Sequence, residues 1–228
     1  MASRSIEASK ALHSGDYVER YNRKPLDRVA ALAQRMRVGN TDELADFACG
    51  NGMLLQAIGD RRGAYHGVDF SDDFIRSARA AAERLGLSNY HFHCRDIVEF
   101  CERNPQRFEV GSALDFSEHI DDEAFVRIFS AIHGSLKRGG RLFLHTPNRG
   151  FFVEALKDRG ILTQFPEHIA VRGVDRTVEL LTQAGFERDA IRAEIIPHYN
   201  VLKLLHPLRR MPLLGHWFEA RIWIEAHA

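Results

Sequence analysis

Two periodicities of hydrophobic and polar positions alternate along the segment from Leu44 to Gly140. Short apolar runs, such as Leu44–Ala48 and Tyr65–Asp69, are followed by longer segments in which apolar residues recur every three or four positions. The first pattern is typical of buried strands, and the second is typical of amphipathic helices. Strands that alternate with helices predict βαβ units, hence an α/β fold with a mostly parallel sheet and helices on both faces.

The same patterns predict the rest of the core. Three more strands are expected at Tyr90–Cys94, Phe108–Asp115 and Arg141–Thr146, and a last strand at Trp217–Ala226. Ser71 is a helix cap, and a helix spans residues 173–184. One further helix, ending at Gly139-Gly140, buries one face that consists of Phe125, Ile128, Phe129, Ile132 and Leu136.

Two segments fall outside this regular alternation. Residues 1–41 are expected to form an N-terminal helical arm or lid ahead of a domain that spans residues 42–228. Residues 197–216, rich in Leu, Pro, His and Arg, are expected to form an insertion before the last strand. Either segment is in a position to cover a substrate pocket.

Composition and charge indicate which kind of acceptor the protein binds and where it is located. The 31 Lys and Arg residues equal the 31 Asp and Glu residues in number, so no overall field attracts nucleic acid, and a small-molecule acceptor is favoured. The chain shows no secretory signal and no apolar run long enough to span a bilayer. Its three cysteines lack CxxC spacing and suit a reducing compartment, so a cytoplasmic location is expected.

The most specific stretch is the turn that follows the first strand. It contains Asp46, Ala48, Gly50 and Gly52, and small residues there allow the backbone to approach a ligand closely. Asp69 ends the next strand, where a carboxylate is able to accept hydrogen bonds from both hydroxyls of a ribose. Taken singly, the turn is compatible with any tight βα connection and the carboxylate with a helix cap.

With these motifs, the sequence resembles the class I S-adenosylmethionine-dependent methyltransferases over residues 42–190, and the ubiquinone-biosynthesis O-methyltransferases among them. The resemblance implies a seven-stranded Rossmann-like sheet with a reversed last strand. Four further motifs agree with it: Ser117–Ile120, Leu136–Gly140, Thr146–Asn148 and Ala184–Phe186. The sequence departs from the family pattern at Ala48, where the family usually has Gly.

The resemblance also implies which residues contact S-adenosylmethionine. Asp69 corresponds to the ribose-binding acid, and Asp96 corresponds to the acid that receives the adenine amino group. The full set of expected cofactor-binding residues is Asp46, Ala48, Gly50, Gly52, Asp69, Phe70, Asp96, Ile97, Leu114, Tyr21 and Arg28.

Methyl transfer to a nucleophile that carries a proton needs alignment and a base. Residues that follow the fourth and fifth strands supply candidates, of which Asp115, His119 and His168 are expected to be catalytic; His145 is a further candidate. Asp115, Glu118, His119 and His168 also resemble the ligand set of metal-dependent relatives that methylate small RNA. A divalent metal is not favoured, because Asp115 is shorter than the Glu of that pattern.

The sequence is compatible with several further classes of function. A NAD-dependent oxidoreductase is the least favoured, since Leu55 stands where the dinucleotide motif requires a third small residue. An RNA methyltransferase and a noncatalytic module that binds S-adenosylmethionine are also compatible with it. Leucines interleaved with basic residues from Leu202 to Leu214 favour a lid or a dimer contact, and a membrane contact is the less favoured alternative. The chain is expected to be a monomer or a homodimer.

Overall fold

The computed structural model describes residues 25–163 and 168–228. In that part of the chain, seven strands form one sheet in the order β3-β2-β1-β4-β5-β7-β6. Their bounds are β1 Leu44–Phe47, β2 Tyr65–Asp69, β3 Tyr90–Cys94, β4 Phe108–Leu114, β5 Leu136–Pro147, β6 Ile191–Ile196 and β7 Arg221–His227.

Helices connect most of these strands along the chain. The α-helices are α1 Asp27–Met36, α2 Met53–Ile58, α3 Asp72–Arg84, α4 Ile97–Glu102, α5 Asp122–Ser135, α6 Phe152–Asp158 and α7 Val174–Gln183. Short 3-10 helices lie at Ser117–His119, Arg188–Ala190, Val201–Arg210 and Gly215–Phe218. None of the helices in the described ranges combines the length and the apolar composition that a membrane crossing requires.

The chain divides into two compact units. The first contains the described residues up to Ala113 together with Ala131–Arg141, and the second contains Leu114–Ser130 and the described residues from Leu142 to Ala228. The helical part of the predicted arm that the structure describes is α1, in the first unit. The predicted boundary between an arm and a domain at residue 41 stays a prediction.

β1 is the central strand of the first unit. It pairs in parallel with β2, where Leu44 is level with Tyr65, and with β4, where Leu44 is level with Val110. Every residue of β1 and β2 is buried. A parallel strand covered on both faces has no solvent side, which explains why polar and apolar residues do not alternate along these segments.

The capping prediction for α3 is confirmed. The Ser71 hydroxyl accepts a hydrogen bond from the Phe74 amide at 3.4 Å, and Asp72 and Asp73 occupy the first turn, where negative charge is favourable. Gly86 follows the helix with a φ of 64°, a conformation in which glycine carries no steric penalty. The cap residue Ser71 and the glycine at position 86 therefore mark the two ends of this helix.

The second unit contains the antiparallel strand pair. β6 and β7 run in opposite directions with Ile191 level with Ala226, as the resemblance implies for a reversed last strand. Phe143 of β5 stacks on Trp223 of β7 with 5.5 Å between ring centroids. Trp223 is therefore a core residue, which agrees with the apolar character of the segment.

Two predicted boundaries were wrong. The last strand begins at Arg221 rather than at Trp217, because Gly215–Phe218 form a 3-10 helix. A Cβ at Gly215 would collide with the carbonyl oxygen of Arg209, so this close backbone approach keeps the chain in a turn. The helix before β5 ends at Ser135, and Gly139, with a φ of 77°, bends the strand rather than stopping the helix.

Arg172 ties together the loops around the 3-10 helix Ser117–His119 in the second unit. Its guanidinium donates hydrogen bonds to the carbonyl oxygens of Ser117 and Ile120, both at 2.7 Å, and to the Asp122 carboxylate at 2.7 Å. The side chain is nearly fully buried and lies over the Phe125 ring. A buried cation whose donors are satisfied in this way fixes the loops that hold the candidate site.

Replacement of this cation tests its structural role. Arg172→Met leaves the carbonyl oxygens of Ser117 and Ile120 without this donor and removes one of the two guanidinium groups that bind Asp122, so we expect the free energy of unfolding to fall by about 3 kcal/mol. Urea denaturation measures the change. The matched control is Arg176→Met, because the half-exposed Arg176 binds the same Asp122 carboxylate and its loss should lower stability far less. Equal losses in the two variants would contradict the anchoring role.

Candidate active site

The turn after β1 has an unusual backbone. Ala48, Gly50 and Gly52 have φ values of 58°, 53° and 72°, all in the left-handed region. This conformation is free of strain for glycine but costs an alanine about 1 kcal/mol. The turn therefore keeps its left-handed conformation at Ala48, where the sequence departs from the family pattern. Contacts with the surrounding residues impose this conformation.

Asp69 provides the main contact. Its Oδ2 atom accepts a hydrogen bond from the Gly50 amide at 3.0 Å, and its Oδ1 atom accepts one from the Ser71 amide at 2.9 Å. The residue is buried at the end of β2. Because each carboxylate oxygen has two lone pairs, one such oxygen is able to bind a backbone amide and a ligand hydroxyl at the same time.

Asp46 lies beneath the turn and is fully enclosed. Its carboxylate accepts hydrogen bonds from the Tyr65 hydroxyl at 2.6 Å and from the Ser112 hydroxyl at 2.5 Å. Burial raises the pKa of Asp46 to about 6, and the neighbouring charge of Asp69 adds to the increase. With these contacts, Asp46 supports the turn from within the core. A cofactor-binding role of Asp46 stays a prediction.

The ends of β2 and β3 bring the two predicted nucleoside-binding acids to one edge. Asp69 is level with Cys94, and the Arg95 amide donates to the Asp69 carbonyl oxygen at 2.9 Å. Asp96 follows directly, and its side chain caps α4 through the amides of Val98 and Glu99. The carboxylate of Asp96 is exposed, so it has a capping role and is also accessible to a ligand.

The remaining predicted cofactor residues occupy different places. Phe70 follows β2 and is partly exposed, Ile97 is buried in α4, and Leu114 is the last residue of β4. Arg28 is partly exposed in α1. Tyr21 lies outside the described residues. Contact of any of these side chains with a cofactor stays a prediction.

A chain of polar side chains lies in the second unit and begins at Asp115. Asp115 has a φ of 52°, and its amide donates to the carbonyl oxygen of His145 at 2.8 Å. Its Oδ1 atom lies 3.0 Å from Nδ1 of His145 and 3.2 Å from the Arg221 guanidinium. His145 is fully buried, and its Nε2 atom lies 3.2 Å from the hydroxyl of Tyr199. Arg221, Asp115, His145 and Tyr199 therefore form a continuous polar chain.

Sequence reasoning missed two members of this polar chain. Tyr199 lies 54 positions from His145, in the segment after β6, and Arg221 lies 106 positions from Asp115, at the start of β7. Neither residue belongs to a local motif. The only signal in the sequence was that Tyr199 lies within the predicted insertion of residues 197–216 and that Arg221 follows it.

A second group of side chains consists of Glu118, His119 and His168. Glu118 is buried, and its carboxylate accepts a hydrogen bond from the Thr146 hydroxyl at 3.1 Å. Burial, followed by the charge of Asp115, raises the pKa of Glu118 to about 8. Burial, with His119 as the next cause, lowers the pKa of His168 to about 3. At neutral pH the group therefore contains a protonated carboxyl and an uncharged imidazole.

This second group has the chemistry of a metal site as well as of an acceptor site. One ligand atom from each of Glu118, His119 and His168 lies within 4.8 Å of the others. A carboxylate with two imidazoles is a ligand set that suits divalent zinc, iron or manganese. Asp115 contacts His145 and Arg221. Of the four possible metal ligands named from the sequence, three therefore lie together among the described residues.

Comparison with known proteins finds a methyltransferase domain within the chain. Residues 44–140 match a family model described as a methyltransferase domain. Over 106 residues the chain is 34% identical to the ubiquinone biosynthesis O-methyltransferase of Coxiella burnetii, an alignment that covers 46% of this chain and 44% of that protein. Residues 44–140 therefore match a methyltransferase domain, in agreement with the resemblance to the class I S-adenosylmethionine-dependent methyltransferases that the sequence predicts.

Solved structures confirm the fold. An S-adenosylmethionine-dependent methyltransferase from Archaeoglobus fulgidus superposes with a TM-score of 0.72 at 16% identity, and the match covers 93% of this chain and 100% of that one. The [4+2]-cyclase SpnF matches with a TM-score of 0.64 at 18% identity, over 88% of this chain and 80% of that one. At these identities the likeness establishes the fold alone. The chain also spans only about half the length of the curated relatives it matches.

Proposed function

We propose that this protein transfers the methyl group of S-adenosylmethionine to an oxygen or nitrogen atom of a small metabolite. The observation that carries the proposal is the Asp69 carboxylate, which holds the Gly50 turn and lies at the carboxyl end of the parallel strand β2. Ligands of open α/β sheets bind at this edge. A buried acid there suits the two hydroxyls of a ribose.

The turn and the two nearby acids suit S-adenosylmethionine better than a dinucleotide. A dinucleotide motif requires a third small residue so that helix amides face a pyrophosphate, and Leu55 is buried at that position in α2. S-adenosylmethionine has no phosphate and carries a positive sulfonium, so Asp69 and Asp96 favour it electrostatically. When bound, it supplies an activated methyl group.

The protein's own contribution is alignment and removal of a proton. With Asp115 beside Nδ1 of His145, the ring proton is favoured on Nδ1, and Nε2 is left to accept the proton of the Tyr199 hydroxyl. Tyr199 is then the group that exchanges a proton with the acceptor, and Asp115 is a positioning residue. The predicted residues His119 and His168 contact the acceptor beside this polar chain.

The class of acceptor follows from charge and from the relatives. The equal numbers of basic and acidic residues give no overall attraction for RNA. The curated relative is named as an O-methyltransferase of ubiquinone biosynthesis, which favours an oxygen acceptor over a nitrogen acceptor. One structural neighbour is named as a [4+2]-cyclase, so the same fold hosts other chemistry and the proposal rests on the site rather than on the fold.

A labelling experiment tests the proposal. The protein is incubated with S-adenosylmethionine that carries a radioactive methyl group and with a cell extract separated into small-molecule, RNA and protein fractions. We expect the label to enter the small-molecule fraction while S-adenosylhomocysteine accumulates in equal amount, because one product forms for each methyl transferred. The labelled product is then identified by mass spectrometry.

The outcomes separate the candidate functions. Label in the RNA fraction would replace the small-metabolite proposal with an RNA methyltransferase. Binding of S-adenosylmethionine without any S-adenosylhomocysteine formation, for every fraction, would favour the noncatalytic module. Tyr199→Phe is the matched variant, since it removes one hydroxyl from the polar chain and keeps the ring.

The ligand atoms of Glu118, His119 and His168 favour a metal-assisted variant of the same function. A divalent ion there would bind the acceptor oxygen and lower its pKa. We nevertheless expect activity without metal, since Asp115 is engaged by Arg221 and His145, which leaves one carboxyl group and two imidazoles in the possible ligand set.

Chelation tests this expectation once an acceptor is known. Turnover should persist after exhaustive removal of divalent metals, whereas Tyr199→Phe should lower turnover by about tenfold to a hundredfold at unchanged cofactor affinity. Loss of turnover on chelation that Mg²⁺, Mn²⁺ or Zn²⁺ restores would establish the metal-assisted route. Normal turnover in Tyr199→Phe would exclude the hydroxyl as a proton carrier.

A further inference from the structure

The segment between β6 and β7 exposes an unusual amount of apolar surface. Ten large hydrophobic side chains are exposed in the described part of the chain, and five of them lie within residues 201–214, which we call the anchor segment. These five are Val201, Leu204, Met211, Leu213 and Leu214. A cluster of this kind on one short segment marks an interaction surface rather than scattered surface residues.

The helical part of the anchor segment has two different faces. In a 3-10 helix, residues three positions apart lie in one row. Leu202, Leu205 and Leu208 form a partly buried row, whereas the row that starts at Val201 and Leu204 is 71% and 70% exposed at these two residues. The leucines thus serve two purposes, because one row packs on the protein and the other faces away from it.

The turn after this helix displays a leucine at its tip. Leu213 is 93% exposed and has a φ of 64°, a conformation that is unfavourable for a large side chain. Hydrogen bonds from the Leu214 amide to Pro212 and from the Gly215 amide to Met211 hold the turn. The buried Gly215 packs against the Arg209 carbonyl oxygen with no room for a Cβ. A strained backbone that is fixed in this way and presents an apolar side chain to water points to a function of that side chain.

The charges of the anchor segment have one sign. It contains Lys203, Arg209 and Arg210, and the sequence has no Asp or Glu from residue 195 to residue 218. Leucines flanked by basic residues are the pattern of a segment that lies in the interface of an anionic bilayer. The net charge of the whole chain is zero, so it does not reveal this local positive charge.

We propose that the anchor segment binds the surface of a membrane that contains anionic lipids, with Leu204 and Leu213 inserted among the acyl chains. Self-association through this face is disfavoured, because it would bring like charges of two copies together. Nucleic acid would engage the basic side chains but would leave the apolar row exposed. A bilayer surface satisfies both the charges and the leucines, and the proposal is independent of the methyl acceptor.

Sedimentation with lipid vesicles tests the proposal on the full chain. Vesicles of phosphatidylcholine alone are compared with vesicles that also contain phosphatidylglycerol, at low and at high salt. We expect binding to the anionic vesicles, weakened by high salt, and little binding to the neutral vesicles. Arg209→Gln and Arg210→Gln should each lower the partition coefficient by about fivefold, and Leu213→Asp should lower it by at least about tenfold.

The controls use exposed residues elsewhere on the protein. Leu85→Asp places the same charge at an exposed leucine, and Arg76→Gln removes an exposed charge. Both should bind vesicles as the unmodified protein does. Absence of binding to anionic vesicles, or equal losses in Leu213→Asp and Leu85→Asp, would overturn the proposal. A dimer in sedimentation velocity that Leu213→Asp dissociates, without vesicle binding, would also overturn it and assign the face to a second copy.

Discussion

The buried carboxylate of Asp69 is the interaction on which the first unit depends. It bridges the amides of Gly50 and Ser71, and so it fixes both the turn after β1 and the start of α3. Asp46 lies close enough for the two charges to interact, and its pKa rises to about 6 as a result of burial first and of this repulsion second. Two acids held in this way are costly for a core, and such a pair with a perturbed pKa is typical of functional sites.

The second unit is built on a comparable constraint. Arg172 satisfies the carbonyl oxygens around the 3-10 helix Ser117–His119 and holds in place the loops that carry the proposed acceptor-side residues. Asp115 keeps a left-handed backbone conformation there, while Arg221 and His145 contact its carboxylate. The fold places strain and buried charge at the same few residues, which is a common property of functional sites.

The sequence predicted the parts of this structure that depend on local patterns. Buried parallel strands, the Ser71 cap and the glycine turn each have a signature within a few residues, and the structure has them where they were expected. The pairing of His145 with Tyr199 has no such signature, because the two residues meet only after the chain has crossed α7 and β6. The start of β7 was misplaced because a single backbone contact at Gly215, invisible in the pattern, keeps Trp217 in a turn.

Individual residues also show why a motif does not define a role. Asp96 fits the adenine-binding position, yet its carboxylate caps α4, so both roles are compatible with one side chain. The leucines before β7 fit a lid, a dimer contact or a membrane contact by sequence, and only their exposure separates the two rows. Burial and exposure are tertiary properties, so this distinction required the structure.

The central claim is that Asp69 and its turn hold the nucleoside of S-adenosylmethionine, and calorimetric titration with S-adenosylhomocysteine tests it most directly. We predict that Asp69→Asn weakens binding by about 1.5–3 kcal/mol, the scale of a hydrogen bond to a charged group. Asp72→Asn, which alters an exposed acid three positions away, should bind normally. Unchanged affinity in Asp69→Asn, or binding of NAD in place of S-adenosylhomocysteine by the unmodified protein, would contradict the account.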